Sequence, residues 1–340
     1  MFSFDRWQKE AIAHKDGPCL VTAGPGSGKT AVIAQRVAEL VRSGVPASNI
    51  AVLTFTRAAA GEMEKRYSRT GGKYGPYFGT FHSLCYMILR QEKDCGRDSL
   101  ISSDERIRSA REAVGAVLYE DGLPADEDAD MRARRLLQDI SRKKSGLPPE
   151  FAGQMDDDGE RVRMARMEAV YSAILKERGK IDFDDMVLDC LSLFLERPAV
   201  LDRWRQRFRY ILIDEAQDMN AVQYEILQML AGPQDNLFLV GDDDQAIYAF
   251  RGAKPRLFLG FAEDYPDTKI VKLQKNYRCD RDIVRSGLAL ISANKVRFQK
   301  RLCAASSLDG KIRALSFANA KEEARMIAAR IAAEKKMYPK

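Results

Sequence analysis

The stretch CLVTAGPGSGKT, Cys19 to Thr30, decides the fold. CLVT has the apolar, β-branched character of a short buried strand, and AVIAQRVAELV after it has the periodicity of a helix. Between them runs a glycine-rich loop, AGPGSGKT, from Ala23 to Thr30. Gly24, Gly26 and Gly28, with Pro25 and Ser27 between them, let the backbone curl until its N–H groups converge at a helix N-terminus. That arrangement binds phosphate oxygens. Lys29 would reach the β- and γ-phosphates, and the Thr30 hydroxyl would hold Mg²⁺, so the expected ligand is ATP with Mg²⁺.

The same rhythm repeats outward. Short apolar runs at 19–23, 50–55, 210–215, 236–241, 269–273 and 311–317 are each followed by turn residues and helical periodicity. Buried strands alternating with helices predict an α/β fold with a parallel sheet covered on both faces. From about 90 to 180 the rhythm stops. That span reads as helices broken by acidic loops such as DGLPADEDAD, a helical subdomain inserted into the α/β domain. IDFDDM, Ile181 to Met186, marks the return, its carboxylates capping a helix. Trp7 and Trp204 read as packing residues.

Composition narrows the class. The 340 residues suffice for two or three domains, and no apolar run reaches the roughly 18 residues a membrane span needs. With no signal-peptide core, the expected location is cytoplasmic. Six cysteines without a C-x-x-C and only two histidines speak against a zinc or iron–sulfur site. The net charge of +6 is unevenly spread: +6 over 1–90, −3 over 91–180, −8 over 181–270 and +11 over 271–340. A basic tail suits a polyanion, and a solvated helical face would read the same way.

Two further stretches carry chemistry. YILIDEAQD, Tyr210 to Asp218, is an apolar strand ending in adjacent carboxylates. Beside a phosphate loop, Asp214 would hold Mg²⁺ and Glu215 would orient and deprotonate the attacking water. VGDDDQAIYAFRGA, Val240 to Ala253, joins an acidic triplet to Tyr248, Phe250 and Arg251. A solvated loop has no use for those rings, and a core strand has none for three aspartates.

Taken in order, AGPGSGKT, AVLTFTRAAAGEM, GTFHSL, IDFDDM, ILIDEAQD, VGDDDQAIYAFRGA and LQKNYR resemble the motifs of UvrD/Rep/PcrA-like superfamily 1 DNA helicases, from Phe4 to about Arg330. The resemblance implies a RecA-like P-loop NTPase sheet at 1–89 and 181–270, an inserted helical subdomain at 90–180, and the beginning of a second RecA-like domain at 271–340. It implies that Gln8 reads the adenine edge, Tyr277 stacks on the adenine, Gln245 senses the γ-phosphate, and Arg278 reaches across to the transferring phosphoryl. For single-stranded DNA it implies Phe55, Thr56, Arg57, His82, Tyr248, Phe250 and Arg251, since aromatic faces stack on any base. Phe55, His82 and Tyr248 have plain packing roles open to them as well. The chain departs from the family pattern at Ala23, Ala31, Arg57 and Phe250, where glycine, arginine, asparagine and tryptophan are common; none of these removes catalysis.

The implied activity is an ATP-driven 3′–5′ DNA translocase and helicase acting on single strands and single/double-strand junctions. Two later motifs of the family's second domain are missing from this chain, so a truncated motor is expected, with one complete lobe. A short nucleotide- and DNA-binding module without unwinding activity is the alternative.

Overall fold

A computed structural model describes residues 3–72, 75–93, 96–123, 129–147 and 158–337. The chain begins with α1 (Arg6–Ala13), β1 (Cys19–Ala23), α2 (Lys29–Arg42), β2 (Ile50–Thr54), α3 (Arg57–Arg69), β3 (Tyr77–Thr80) and α4 (Phe81–Glu92). Three helices follow: α5 (Ser103–Glu120), α6 (Ala129–Lys144) and α7 (Asp158–Glu177). The α/β alternation then resumes with α8 (Asp185–Glu196), α9 (Pro198–Arg207), β4 (Tyr210–Ile213), α10 (Ala221–Ala231) and β5 (Leu237–Gly241). Short helices α11 (Pro255–Leu259) and α12 (Phe261–Asp264) lead to β6 (Lys269–Leu273). Last come β7 (Lys275–Asn276), α13 (Arg281–Ile291), β8 (Cys303–Ala304) and α14 (Ala320–Met337).

Six strands pair in the order β3-β2-β4-β5-β1-β6, every pair parallel. Because strand side chains alternate between faces, the same strands feed two cores. Leu20, Leu53, Ile213 and Leu239 enter a core with α4, α8, α9 and α10. Val21, Val52, Leu212 and Val240 face the opposite way, into a core with α1, α2 and α3. Burial on both faces is why these runs read as continuously apolar. Helix starts are marked chemically: Asp5 with Gln8, Thr80 with Ser83 and Asn220 with Gln223 each form a reciprocal capping box.

Helices α5, α6 and α7 pack on each other around Val114, Val117, Leu136, Ile140 and Tyr171, a core of their own. Polar contacts seat this insert on the sheet domain. Lys144 Nζ lies 2.9 Å from Asp182 Oδ2 and 2.6 Å from Asp185 Oδ1, and Ser141 Oγ donates to Asp184 Oδ2 at 2.6 Å. Of the carboxylates in IDFDDM, Asp182 bonds the start of α8, its Oδ1 accepting from Asp185 N at 2.9 Å, while Asp184 at the N-cap makes no side-chain cap bond.

Two strand expectations need correction. Residues 311–317 form no strand and are almost wholly exposed, with no strand edge among the described residues paired to them. A four-residue strand beyond the expected ones, β3, forms the sheet edge beside β2. On the sheet, β6 pairs with β1 through Leu273, and α4 runs to Glu92. No helix among the described residues is long and apolar enough to cross a membrane.

Candidate functional site

All six strands point their C-terminal ends the same way, and most candidate residues follow those ends, in loops or in the first turns of helices, while Gln8 lies on α1 ahead of β1. After β1, Gly26 and Gly28 take φ of 67° and 84°, left-handed values open to glycine at little cost, and α2 starts at Lys29. The loop is roofed by a distant segment. A Cβ on Gly26 would fall 2.7 Å from Arg278 Cβ, and one on Gly24 would fall 2.3 Å from the Leu302 side chain. Asn276 Nδ2 donates to Pro25 O at 2.8 Å, and Tyr277 N donates to Gly26 O at 2.9 Å. Arg278 and Tyr277 thus stand over the phosphate loop, with Tyr277 Oη donating to Asp5 Oδ2 at 2.8 Å.

Gln8 joins α1 to the loop. Its Oε1 accepts from Asp5 N at 3.0 Å and its Nε2 donates to Ser27 O at 2.9 Å, with the residue buried. One amide hydrogen is left over, so in this structure Gln8 chiefly braces the loop.

Beyond β4, which ends at Ile213, the two adjacent carboxylates go to different partners. Asp214 turns inward and is 6% exposed; its Oδ1 is buried without a hydrogen-bond partner. Burial, reinforced by the charge of Glu215, pushes its carboxyl up to about 7. Glu215 adopts a left-handed φ of 51°, a strained value for a non-glycine residue, and its Oε2 lies 2.7 Å from Lys29 Nζ. Asp218, which the sequence reading passed over as a third carboxylate, is pushed up to about 6, by burial first and then by Glu215. Its Oδ1 is also buried and unpartnered.

An orphaned, buried carboxylate oxygen next to a phosphate loop suits a hard divalent cation, which takes oxygen donors. Among the described residues no group of three or more His, Cys, Asp or Glu could cage a metal alone. Mg²⁺ commonly binds through one or two protein oxygens plus phosphates and water, so the donor set of Asp214 with Thr30 fits.

The acidic triplet after β5 is turned onto cations of the chain's own. Lys300 Nζ lies 2.5 Å from Asp242 Oδ1, 2.7 Å from Asp243 Oδ1 and 2.9 Å from Asp244 Oδ2, with its side chain fully buried. Arg297 grips Asp244 through two bonds of 2.6 Å. Burial alone would raise Asp244, but these two cations outweigh it and hold the carboxyl below its ordinary value. The triplet is thus an internal clasp for the segment before β8. Gln245 is exposed, and its Nε2 donates to Asp242 Oδ2 at 2.6 Å. Gln217 links this turn to the carboxylates, accepting from Asp242 N at 2.9 Å and donating to Glu215 Oε2 at 3.0 Å. Part of the basic tail charge is therefore spent on the chain's own aspartates. The opposite charge totals of 181–270 and 271–340 were the available signal.

On the other side of Glu215 the surface turns aromatic. Phe55 stacks on Tyr248 at 5.1 Å and 21°, and Tyr248 meets Phe250 at 6.0 Å. The Arg251 guanidinium lies 5.5 Å from both the Tyr248 and Phe250 rings. Phe55 is 41% and Phe250 61% exposed, which sets aside a core role for Phe55. A cleft of about 770 Å³ between the sheet domain and α6 is lined by Phe55, Thr56, Arg57, His82, Phe250 and Arg251, and it reaches Asp214 and Glu215. Thr56 Oγ1 caps α3 by accepting from Ala59 N at 3.1 Å. His82 stacks on Phe183 at 4.1 Å and 20°, and burial holds its imidazole below the ordinary value despite the pull of Asp184. Phe183 was missed. A Phe set between Asp182 and Asp184 was the available signal, since a ring flanked by carboxylates has little use in a core.

Comparison with known proteins supplies a context. The family described as UvrD/REP helicase N-terminal domain matches residues 4–266. YjcD of Bacillus subtilis is 40% identical over 307 residues, covering 88% of this chain and 39% of its own length. The ATP-dependent DNA helicase Rep of Escherichia coli is 35% identical over 329 residues, 94% of this chain and 48% of its own length. The ATP-dependent DNA helicase PcrA of Staphylococcus epidermidis is 34% identical over 327 residues, 94% of this chain and 44% of its own. The chain thus spans half or less of the length of these relatives.

Proposed function

Because this chain belongs to the UvrD/REP helicase family, we propose that it carries the ATP-binding lobe and part of the strand-binding surface of an ATP-dependent DNA helicase that moves 3′–5′ along single strands. The observation that carries this reading is one cleft whose lining runs from Asp214 and Glu215 to Phe55 and Phe250. Chemistry on a phosphate and grip on a base would then share a wall. On this reading the six-stranded sheet is a RecA-like domain, α5–α7 an inserted subdomain, and the residues after β6 part of a second RecA-like domain. Single strands and their junctions with duplex are the proposed partners.

Each residue has a task. The phosphate loop from Ala23 to Thr30 cradles the β- and γ-phosphates, and Lys29 leaves Glu215 to pair with them. That exchange frees the Glu215 carboxylate to orient a water and accept its proton. Thr30 and Asp214 would hold Mg²⁺, which when bound neutralises charge on the phosphate oxygens. Arg278, standing over the loop, supports charge on the transferring phosphoryl, and Tyr277 takes the adenine face. Gln245 sits five residues from Phe250, so a shift at the phosphate end moves the aromatic end through one short loop. Phe55, Tyr248, Phe250 and Arg251, with Phe183 and His82 across the cleft, form the platform for bases.

The test is ATP turnover with and without single-stranded DNA, in native protein and in Glu215→Gln. The variant should keep ATP binding and lose about 10²–10⁴-fold in turnover, the contribution of a positioned base. Unchanged turnover would remove Glu215 from that role.

A further inference from the structure

Asn276 lies 251 residues from the phosphate loop in sequence, yet it is the side chain that joins the roof to the loop. It is 2% exposed, and its amide is used at both ends. Nδ2 donates to Pro25 O at 2.8 Å, while Oδ1 accepts from the N–H of Arg278 and of Cys279, both at 2.8 Å. The backbone of Asn276 is itself pinned, because its carbonyl accepts from Ala305 N at 2.7 Å. A turn-capping role would explain the two bonds to Oδ1. It does not explain the bond across to Pro25.

Peptide geometry gives that bond a consequence. In a planar trans peptide the C=O of one residue and the N–H of the next point in opposite directions. Three consecutive loop carbonyls are held from outside: Pro25 O by Asn276, Gly26 O by Tyr277 N, and Ser27 O by Gln8. The N–H groups of Gly26 and Ser27 are therefore turned away from the roof, and that of Gly28 away from Gln8 on α1. Ser27 N–H is partly taken, lying 3.3 Å from Gly24 O, which leaves Gly26 and Gly28 as the donors set most directly for an anion. We infer that Asn276 is a positioning residue that pre-organises the phosphate loop, and that it ties the loop's shape to the backbone of Arg278. Only an amide of this length serves. Aspartate keeps the acceptor and loses the donor, and alanine loses both.

This inference rests on the nucleotide reading above, and its test separates the two. A fluorescent ADP analogue bound to this chain is displaced by inorganic tripolyphosphate, which probes the loop alone, or by adenosine, which probes the base site alone. Asn276→Ala should weaken tripolyphosphate competition by about tenfold, the scale of one lost buried hydrogen bond, and leave adenosine competition unchanged. Asn276→Asp retains the caps on Arg278 and Cys279 and so guards against a folding defect. It should show the same loss at about 0.5 M salt, where charge repulsion is screened. Native-like tripolyphosphate competition by alanine, or by aspartate at that salt, overturns the inference and leaves nucleotide binding standing. Equal losses for tripolyphosphate and adenosine also overturn it, since they mean collapse of the whole site. Failure of the native chain to bind the analogue overturns both readings.

Discussion

The two ends of the loop from Val240 to Ala253 are built on opposite principles. At the acidic end every carboxylate of the triplet is paired, with Lys300 buried among three of them and Arg297 closing the side. At the aromatic end Phe250 is 61% exposed and meets the Tyr248 ring and the Arg251 guanidinium. The difference follows from how each end meets water. Charged groups out of water must be fully satisfied, or the cost is several kcal/mol, so every carboxylate at the acidic end has a cation. On the proposed strand-binding reading, base stacking is sequence-tolerant and calls for rings left open to the cleft. The same reading makes this one loop a paired anchor joined to a solvent-facing grip.

That contrast can be broken from either side. The largest effect should come from Lys300→Met, which leaves the Asp242, Asp243 and Asp244 carboxylates without their shared cation. A loss of about 3–5 kcal/mol in a urea titration is expected, the range for breaking a buried pair. Native-like stability would mean that the triplet is solvated and the clasp is not a stabilising contact. Phe250→Ala should do the reverse, leaving the urea midpoint in place while weakening binding of an oligo-dT strand by about 1–3 kcal/mol in fluorescence anisotropy. Comparable losses in stability would show that the ring is a packing residue after all.

The smallest effect sharpens the far wall of the cleft. Burial lowers the His82 pKa, so the folded protein binds fewer protons at this site than the unfolded chain. Its contribution to stability is complete above about 6.5, the ordinary histidine value, and is lost as pH falls through the depressed folded value. Urea midpoints between pH 7.5 and 5.5 should decline less in His82→Gln than in the native chain. An identical decline would place the pH dependence in other groups.

Much of this was legible in the residues because it is local. A strand, a glycine loop and a helix are adjacent in sequence, and burial on both faces writes itself as an uninterrupted apolar run, so five strands and the glycine-rich turn into α2 could be read directly. The exposed Phe-Arg pair after an acidic turn was legible for a similar reason: no core use explains it. The failures were also physical. The run at 311–317 has strand composition but no neighbour, and composition cannot supply a partner edge. Phe183 was absorbed into a helix-capping reading, and Asp182 beside it does bond Asp185 N at the start of α8.

By itself the sequence determined that a glycine-rich loop follows a strand of a parallel α/β sheet, that Asp214 and Glu215 stand at the end of a strand, and that aromatics and a cation follow an acidic triplet. Only the tertiary structure decided what each polar group is paired with. It gave Lys300 to the triplet across 58 residues and Asn276 to the phosphate loop across 251. It also brought Phe183 against His82. Hydrogen bonds and ion pairs act over a few ångströms and carry no periodic signal along the chain, so which distant partner satisfies a buried charge is settled by packing alone.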